Sequence, residues 1–260
     1  MGKPLILVTN DDGIFAGGIR ELISIAKELG EVVVMAPDAP QSATGHAITI
    51  RQPLRFEPAK EFPDIEAYKC SGTPVDCVKI ARQVLLKDRK VDLCVSGINH
   101  GSNAAVNILY SGTMSAAMEA SIEGINSIGF SLLDFSHDAD FSHCRKYVKA
   151  IMEHVLKNGM ENGNLLNVNI PKLSTEEIKG MKICRQANAR WVERFEQKLD
   201  PVGQPYYWLA GDFVDFDERE DTDIKALKAN YISIVPAMHD LTNQAAIPDL
   251  KKMEAINVAS

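Results

Sequence analysis

Several familiar chemistry-bearing patterns are missing from these 260 residues. There is no G-x-x-x-x-G-K-[ST] loop, which excludes the phosphate cradle of the P-loop ATPases. H-E-x-x-H and C-x-x-C are both absent, so zinc sites of those kinds are not expected. No G-x-S-x-G elbow marks an acyl hydrolase, and no G-x-G-x-x-G marks a dinucleotide fold. The chain also lacks any apolar run near the roughly 20 residues needed to span a bilayer. Its N-terminal stretch has no basic region followed by a long apolar core, which argues against a secretory signal. Basic residues are in deficit: the net charge of −7 does not favour a general nucleic-acid-binding face. Such a charge still admits a small phosphorylated ligand, because one bound divalent cation reverses the local field. The five cysteines are an odd number and widely spread, so they read as reduced core residues of a cytoplasmic protein.

What is present is an ordinary globular composition, 45% hydrophobic and 24% charged, in a chain long enough for one sizeable core. Leu5-Ile6-Leu7-Val8-Thr9-Asn10-Asp11-Asp12-Gly13 reads as a buried parallel strand ending in two adjacent carboxylates. Ile19, Leu22, Ile23, Ala26 and Leu29 then recur at helical spacing before Gly30, and Val32 to Ala36 forms a second strand. Strand, helix and strand make a βαβ unit with a right-handed crossover. Ala39 to His46 has loop residues, and Ala47 to Arg55 alternates as a strand would. Thr73-Pro74-Val75-Asp76 is a helix start, with a hydroxyl cap, proline and an acid in the first turn.

Val91 to Val95 is a further strand running into a loop from Ser96 to Asn103 that is rich in glycine and asparagine. Ser111-Gly112-Thr113 opens a helix of small residues, followed by a strand at Ile128 to Leu133, a helix at Cys144 to Leu156 and a strand at Leu165 to Ile170. Beyond about residue 185 the alternation stops and aromatics gather between charges, from Trp191 to Phe216. Residues 185–220 are therefore expected to leave the core as a β-hairpin arm, with a short helix at Thr222 to Lys228 and a strand at Tyr231 to Val235 after it.

Ligands in open α/β sheets sit at the carboxyl ends of strands, and there the chain offers oxygen donors: Asp11, Asp12, Ser42 and Asn99. Carboxylates, a hydroxyl and a carboxamide suit Mg²⁺ or Mn²⁺. Ser42 and Asn99, each taken alone, read equally as loop hydrogen-bonders. The paired acids are D-D, unlike the D-x-D of aspartyl-phosphate phosphatases. Gly97, Gly101 and Gly112 would let backbone amides approach an anion, and the helix start at Ser111 to Thr113 adds positive dipole. His46 is a candidate phosphate ligand or proton donor, and His100 adjoins Asn99. The run from Tyr206 to Trp208 is available to stack on a base or to pack an interface.

Taken together, Val8-Thr9-Asn10-Asp11-Asp12-Gly13, Ala36-Pro37-Asp38 and Gln41-Ser42-Ala43-Thr44-Gly45-His46-Ala47 resemble the stationary-phase survival protein SurE family. The likeness continues through Ser71-Gly72-Thr73-Pro74, Asp76-Cys77, Ser96-Gly97-Ile98-Asn99-His100-Gly101, Tyr110-Ser111-Gly112-Thr113, Thr222-Asp223 and Asp240-Leu241-Thr242, and is loose from about 135 to 220. The resemblance implies a Rossmann-like core and a metal-dependent phosphatase acting on nucleoside monophosphates. It also implies a single divalent ion on Asp11, Asp12, Ser42 and Asn99, and a homodimer or homotetramer. Gly17 stands where the family commonly has proline, and Pro40 where a basic residue is frequent; the second change removes a possible phosphate contact.

The resulting expectation is a single three-layer α/β domain over 1–260 with a mostly parallel sheet and an oligomerisation arm at 185–220. Its activity would be hydrolysis of a nucleoside monophosphate, without membrane attachment or a stable nucleic-acid complex. Catalytic roles fall to Asp11, Asp12, Asn99 and His46, and phosphate contacts to Gly97, Gly101, Ser111, Gly112 and Thr113. A phosphate-binding module without turnover is the alternative; two carboxylates count against it, since a pure anion site needs neither. A nicotinamide oxidoreductase is disfavoured by the missing glycine fingerprint.

Overall fold

The computed structural model describes residues 2–136, 138–161 and 164–256. In chain order it begins with β1 (Leu5–Thr9), α1 (Gly17–Leu29), β2 (Glu31–Pro37), β3 (Phe56–Pro58) and β4 (Glu66–Cys70). Then come α2 (Pro74–Ile80), which runs into a π-helical turn over Ala81–Leu85, β5 (Leu93–His100), α3 (Gly112–Ile122), β6 (Ser127–Leu132) and α4 (Arg145–Asn158). The last part holds β7 (Asn164–Ile170), β8 (Met181–Ile183), β9 (Ala189–Leu199), β10 (Pro205–Asp215), α5 (Asp223–Lys228), β11 (Ile232–Met238) and α6 (Ile247–Leu250).

Nine strands form one sheet in the order β3-β4-β2-β1-β5-β6-β7-β11-β8, while β9 and β10 pair only with each other. From β4 to β7 the strands are parallel, and β3 and β11 are antiparallel to their neighbours β4 and β7. β1 is buried at every position because both faces are covered, which is why it reads as a continuous apolar run. Ile6 and Val8 pack with Leu22 and Ala26 of α1 and Val148 and Met152 of α4. The alternate residues Leu5 and Leu7 pack with Cys77 and Val78 of α2 and Ala116 and Ala120 of α3. The result is the expected three-layer, Rossmann-like arrangement with a late antiparallel hairpin.

The expected helix start at Thr73 takes the form of a capping box. Thr73 Oγ1 accepts from the Asp76 amide at 3.1 Å, and Asp76 Oδ2 accepts from the Thr73 amide at 2.9 Å. Ala47 to Arg55, however, is not a strand. Its backbone is tied to the α2 entry instead of a ladder: Thr73 Oγ1 donates to the Ala47 carbonyl, the Thr49 amide to Asp76 Oδ1 and the Arg55 amide to Ser71 Oγ. Ile48 and Ile50 remain exposed, so the alternation there buries nothing. β3, β4 and β8, short or edge strands, carry too little periodicity to be read from the sequence.

β5 also departs from expectation, because it continues through His100 where a loop was expected from Ser96. Ser96 pairs with Gly129 and Asn99 with Ser131, so β5 spends one extra residue and bulges. Gly97 permits this: its φ is +123°, and a Cβ there would lie 2.4 Å from the Phe130 carbonyl oxygen.

Candidate active site

The order of strand addition reverses at β1, which has β2 on one side and β5 on the other, both parallel to it. The carboxyl ends of β1 and β5 therefore flank a topological switch point, where crevices form in open α/β sheets. Asp11 and Asp12 leave β1 there, and the β5 bulge delivers Asn99 beside them. The loop after β2 is drawn to the same place by two backbone bonds, Ile14 N to Pro37 O at 2.9 Å and Gln41 N to Asp11 O at 2.7 Å. Ser42 follows Gln41. All four donors line one cavity of about 1010 Å³, together with Gly101 and Ser111.

Asp11 is 5% exposed, and its Oδ1 accepts a short hydrogen bond from the Thr113 hydroxyl. α3 approaches this closely because residue 112 is glycine: a Cβ there would lie 2.7 Å from the Asp11 Cβ. Burial first, then the charge of Asp12, pushes the Asp11 carboxyl up to about 6, against the opposing Thr113 bond. Burial also raises Asp12, opposed by His100, whose amide lies 3.4 Å from Asp12 Oδ2. Neither carboxylate draws compensation from a lysine or arginine.

Two desolvated acids without a lysine or arginine partner fit a bound cation, and the character of the donors says which kind. The Asn99 amide nitrogen donates to the His100 and Gly101 carbonyls at 3.2 and 2.9 Å, leaving Oδ1 as the available oxygen. Among the described residues no group of three or more His, Cys, Asp or Glu assembles, so the set consists of hard oxygen donors.

The other expected site residues separate into two groups. Gly101 and Ser111 reach the cavity wall, and Ser111 also caps α3 by accepting from the Met114 amide at 3.0 Å. Gly97 lies beneath the bulge, and Gly112 and Thr113 lie behind Asp11, acting on the carboxylate itself. His46 is not on the wall. Its Nε2 is 2.9 Å from Glu119 Oε2, and Lys79 Nζ is 2.5 Å from the other oxygen of that buried acid. Tyr206 to Trp208 are also off the wall.

His100, noted from the sequence only as the neighbour of Asn99, lines the wall, with Nδ1 donating to the Ser136 carbonyl at 3.0 Å and its ring edge-on to Phe141. Sequence reasoning missed much of the rest. Asn103 is held by a buried amide network: its backbone N–H meets Asn169 Oδ1 at 2.8 Å, its Nδ2 meets Ser131 Oγ at 2.9 Å, and Asn167 donates to its carbonyl at 2.8 Å. The available signal was Asn167 and Asn169 two apart in the otherwise apolar stretch Leu165 to Ile170, since buried amides require partners. The root of the hairpin closes the cavity with Trp191, Glu193 and Arg194.

With this geometry in place, the family model described as Survival protein SurE matches residues 6–193. The chain belongs to the SurE family. The 5'-nucleotidase SurE of Christiangramia forsetii is 61% identical over 250 residues, covering 95% of this chain and 96% of that protein. The 5'-nucleotidase SurE of Cytophaga hutchinsonii is 57% identical over 252 residues, covering 97% of each. The crystal structure of the SurE protein from Aquifex aeolicus superposes with a TM-score of 0.84 at 40% identity, covering 96% of this chain and 100% of that one. Likeness to these SurE proteins thus extends well past residue 193, where the family model stops.

Proposed function

We propose that this chain is a divalent-metal-dependent 5'-nucleotidase that hydrolyses nucleoside monophosphates to nucleoside and phosphate. The observation that carries the reading is the pair of desolvated carboxylates, buried Asp11 and half-buried Asp12, which have no lysine or arginine partner and face one cavity with Ser42 and Asn99. The names of the SurE relatives support the reaction class.

Asp11 and Asp12 would hold the ion, with Ser42 Oγ and Asn99 Oδ1 completing the protein's share of its ligands. Mg²⁺ or Mn²⁺ bound there supplies positive charge at the phosphoryl group and lowers the pKa of water. Thr113 steadies Asp11 by holding one of its oxygens. Ser111 opens α3 toward the wall, so the positive end of that helix adds to the field on the phosphate. Gly101 leaves backbone within reach of the same group. For the leaving-group proton, His100 is better placed than His46: its Nδ1–H is held by a carbonyl acceptor, and it lies on the wall, whereas His46 is engaged with Glu119.

The arm over residues 185–220 would assemble the single domain into a homodimer or homotetramer. The distal hairpin supports this, since Phe195, Leu199, Tyr207 and Leu209 share one face and are exposed. We place the protein in the cytoplasm, where its five buried free cysteines stay reduced. Among the described residues no helix is long and apolar enough to cross a membrane.

Phosphate release from AMP, assayed with Mn²⁺ and again with excess chelator, tests the reading. The expected result is release abolished by chelator and restored by metal. Binding of AMP without release under either condition would favour the non-catalytic alternative.

A further inference from the structure

The cavity is far larger than a phosphate group, and one of its walls is aromatic. Trp191 lies on that wall and is fixed in orientation from two directions. Its Nε1–H donates to Asn107 Oδ1 at 3.0 Å, which ties the indole to the short 3₁₀ turn over Ala105–Leu109. Its cross-strand partner Phe213 packs against it edge-on, with ring centroids 5.5 Å apart. The indole nevertheless stays 45% exposed. A tryptophan anchored by its one polar atom and by a second ring, yet open beside the acidic cluster, has the form of a stacking platform.

We propose that Trp191 is the nucleobase-binding residue of this site, stacking the base of a nucleoside monophosphate whose phosphate lies at Asp11 and Asp12. The inference rests on the nucleotidase reading. Stacking is sequence-tolerant because every base presents a π face, so the enzyme accepts all common bases and favours purines for their larger area. Asn107 is a positioning residue: it holds the indole and does not touch the base. Tyr206 and Trp208, further out on the hairpin, have no part in recognition.

The test compares AMP with ribose 5-phosphate, which carries the same phosphoester and no base. In Trp191→Ala the ratio of kcat/KM for AMP to that for ribose 5-phosphate falls about tenfold, the scale of one base–aromatic stack, mainly through KM. Trp191→Phe, which keeps a ring, recovers most of the ratio. Light scattering on each variant confirms an unchanged assembly. A second readout is independent of turnover: the chain has two tryptophans, so Trp208→Phe leaves Trp191 as the sole fluorophore. Adenosine quenches it at saturation and ribose does not. An equal loss for both substrates would overturn the proposal, as would quenching by neither ligand. So would a selective loss in Phe135→Ala or Tyr110→Ala, the two other exposed aromatic rings on the wall, with none in Trp191→Ala. Wild-type protein that cleaves neither substrate while adenosine still quenches would refute the nucleotidase reading and leave the base site standing.

Discussion

On one side of the cavity Asp11 is 5% exposed, packed behind by α3 and held by the Thr113 hydroxyl and the Gln41 amide. On the other side Trp191 is 45% exposed on a two-stranded hairpin that belongs to no larger sheet. The first wall is made of parallel strand ends in a doubly covered sheet, where a misplaced side chain would disturb the core. The second is made of rings and charges on an element that is marginal by itself in water. Positions that must hold charge against its desolvation cost need the first kind of support. Positions that recognise a flat base need only area and orientation, which a hairpin with an anchored indole supplies. On the proposed reading, chemistry falls to the buried wall and recognition to the exposed one.

The sharpest way to break this division is Asp12→Asn, which keeps size but removes one charge from the rigid wall. Turnover at saturating Mn²⁺ should fall by about two orders of magnitude or more, because charge stabilisation at a metal site is worth several kcal/mol. Circular dichroism should remain native, since the change relieves repulsion with Asp11. Near wild-type turnover would remove Asp12 from the site.

Thr113→Val probes the same wall one step back. Losing the hydroxyl removes the bond that holds Asp11 Oδ1 and favours its charged form. Mn²⁺ affinity measured by calorimetry should drop by about ten- to a hundredfold, as for other groups that orient a metal ligand. Thr113→Ser should restore it. If the valine variant binds metal as wild type does, the bond is structural only.

The arm is tested by replacing Ala189 to Phe216 with a short linker. Light scattering should then give a monomer, because the exposed hairpin face is gone. Activity on AMP should fall about tenfold with the loss of Trp191, while metal affinity stays near wild type, since the four donors all precede residue 100. A monomeric full-length protein at micromolar concentration would remove the arm from assembly.

The same division governs what could be read from the amino-acid order. β1 with its two terminal acids, the caps at Thr73 and Ser111, and the departure at 185 are local patterns, and each appears in the structure where local physics puts it. Ser42 was singled out as a candidate donor by its chemistry, but its place on the cavity wall depends on Gln41 N reaching the Asp11 carbonyl across two loops. Asn99 was singled out likewise, though the bulge that brings it to the cavity depends on Gly97 sitting against Phe130 of the next strand. His46 was misplaced because nothing nearby in sequence announces Glu119, 73 residues away. Trp191 was read as interface material, since only the folded chain shows that the hairpin root turns over the cavity. Long-range pairing, more than any weakness of local signal, set the limit.

The smallest effect expected concerns pH and the acidic pair, and its sign follows from Asp11. In the metal-free fold its carboxyl titrates at about 6, whereas an unfolded aspartate titrates near 3.8. Between these values the folded chain holds a proton that the unfolded chain has released. Stability is therefore full below about pH 4 as far as this group is concerned, and is lost as pH rises through about 6. Asp12, also raised by burial, acts in the same direction. The loss is on the order of 1–3 kcal/mol, or a few degrees in Tm for a chain of this length. Scanning calorimetry of chelator-treated protein should show Tm declining from pH 4.5 to 6.5 (roughly the window between the two titrations), and Asp11→Asn should flatten the decline. On the proposed reading Mn²⁺ would bind the ionised pair in competition with protons, so any rise in Tm that it produces should grow with pH across the same window. A wild-type and Asp11→Asn pair with parallel Tm profiles would show that Asp11 is not a desolvated acid, and the contrast between a desolvated inner wall and an exposed outer one would fail.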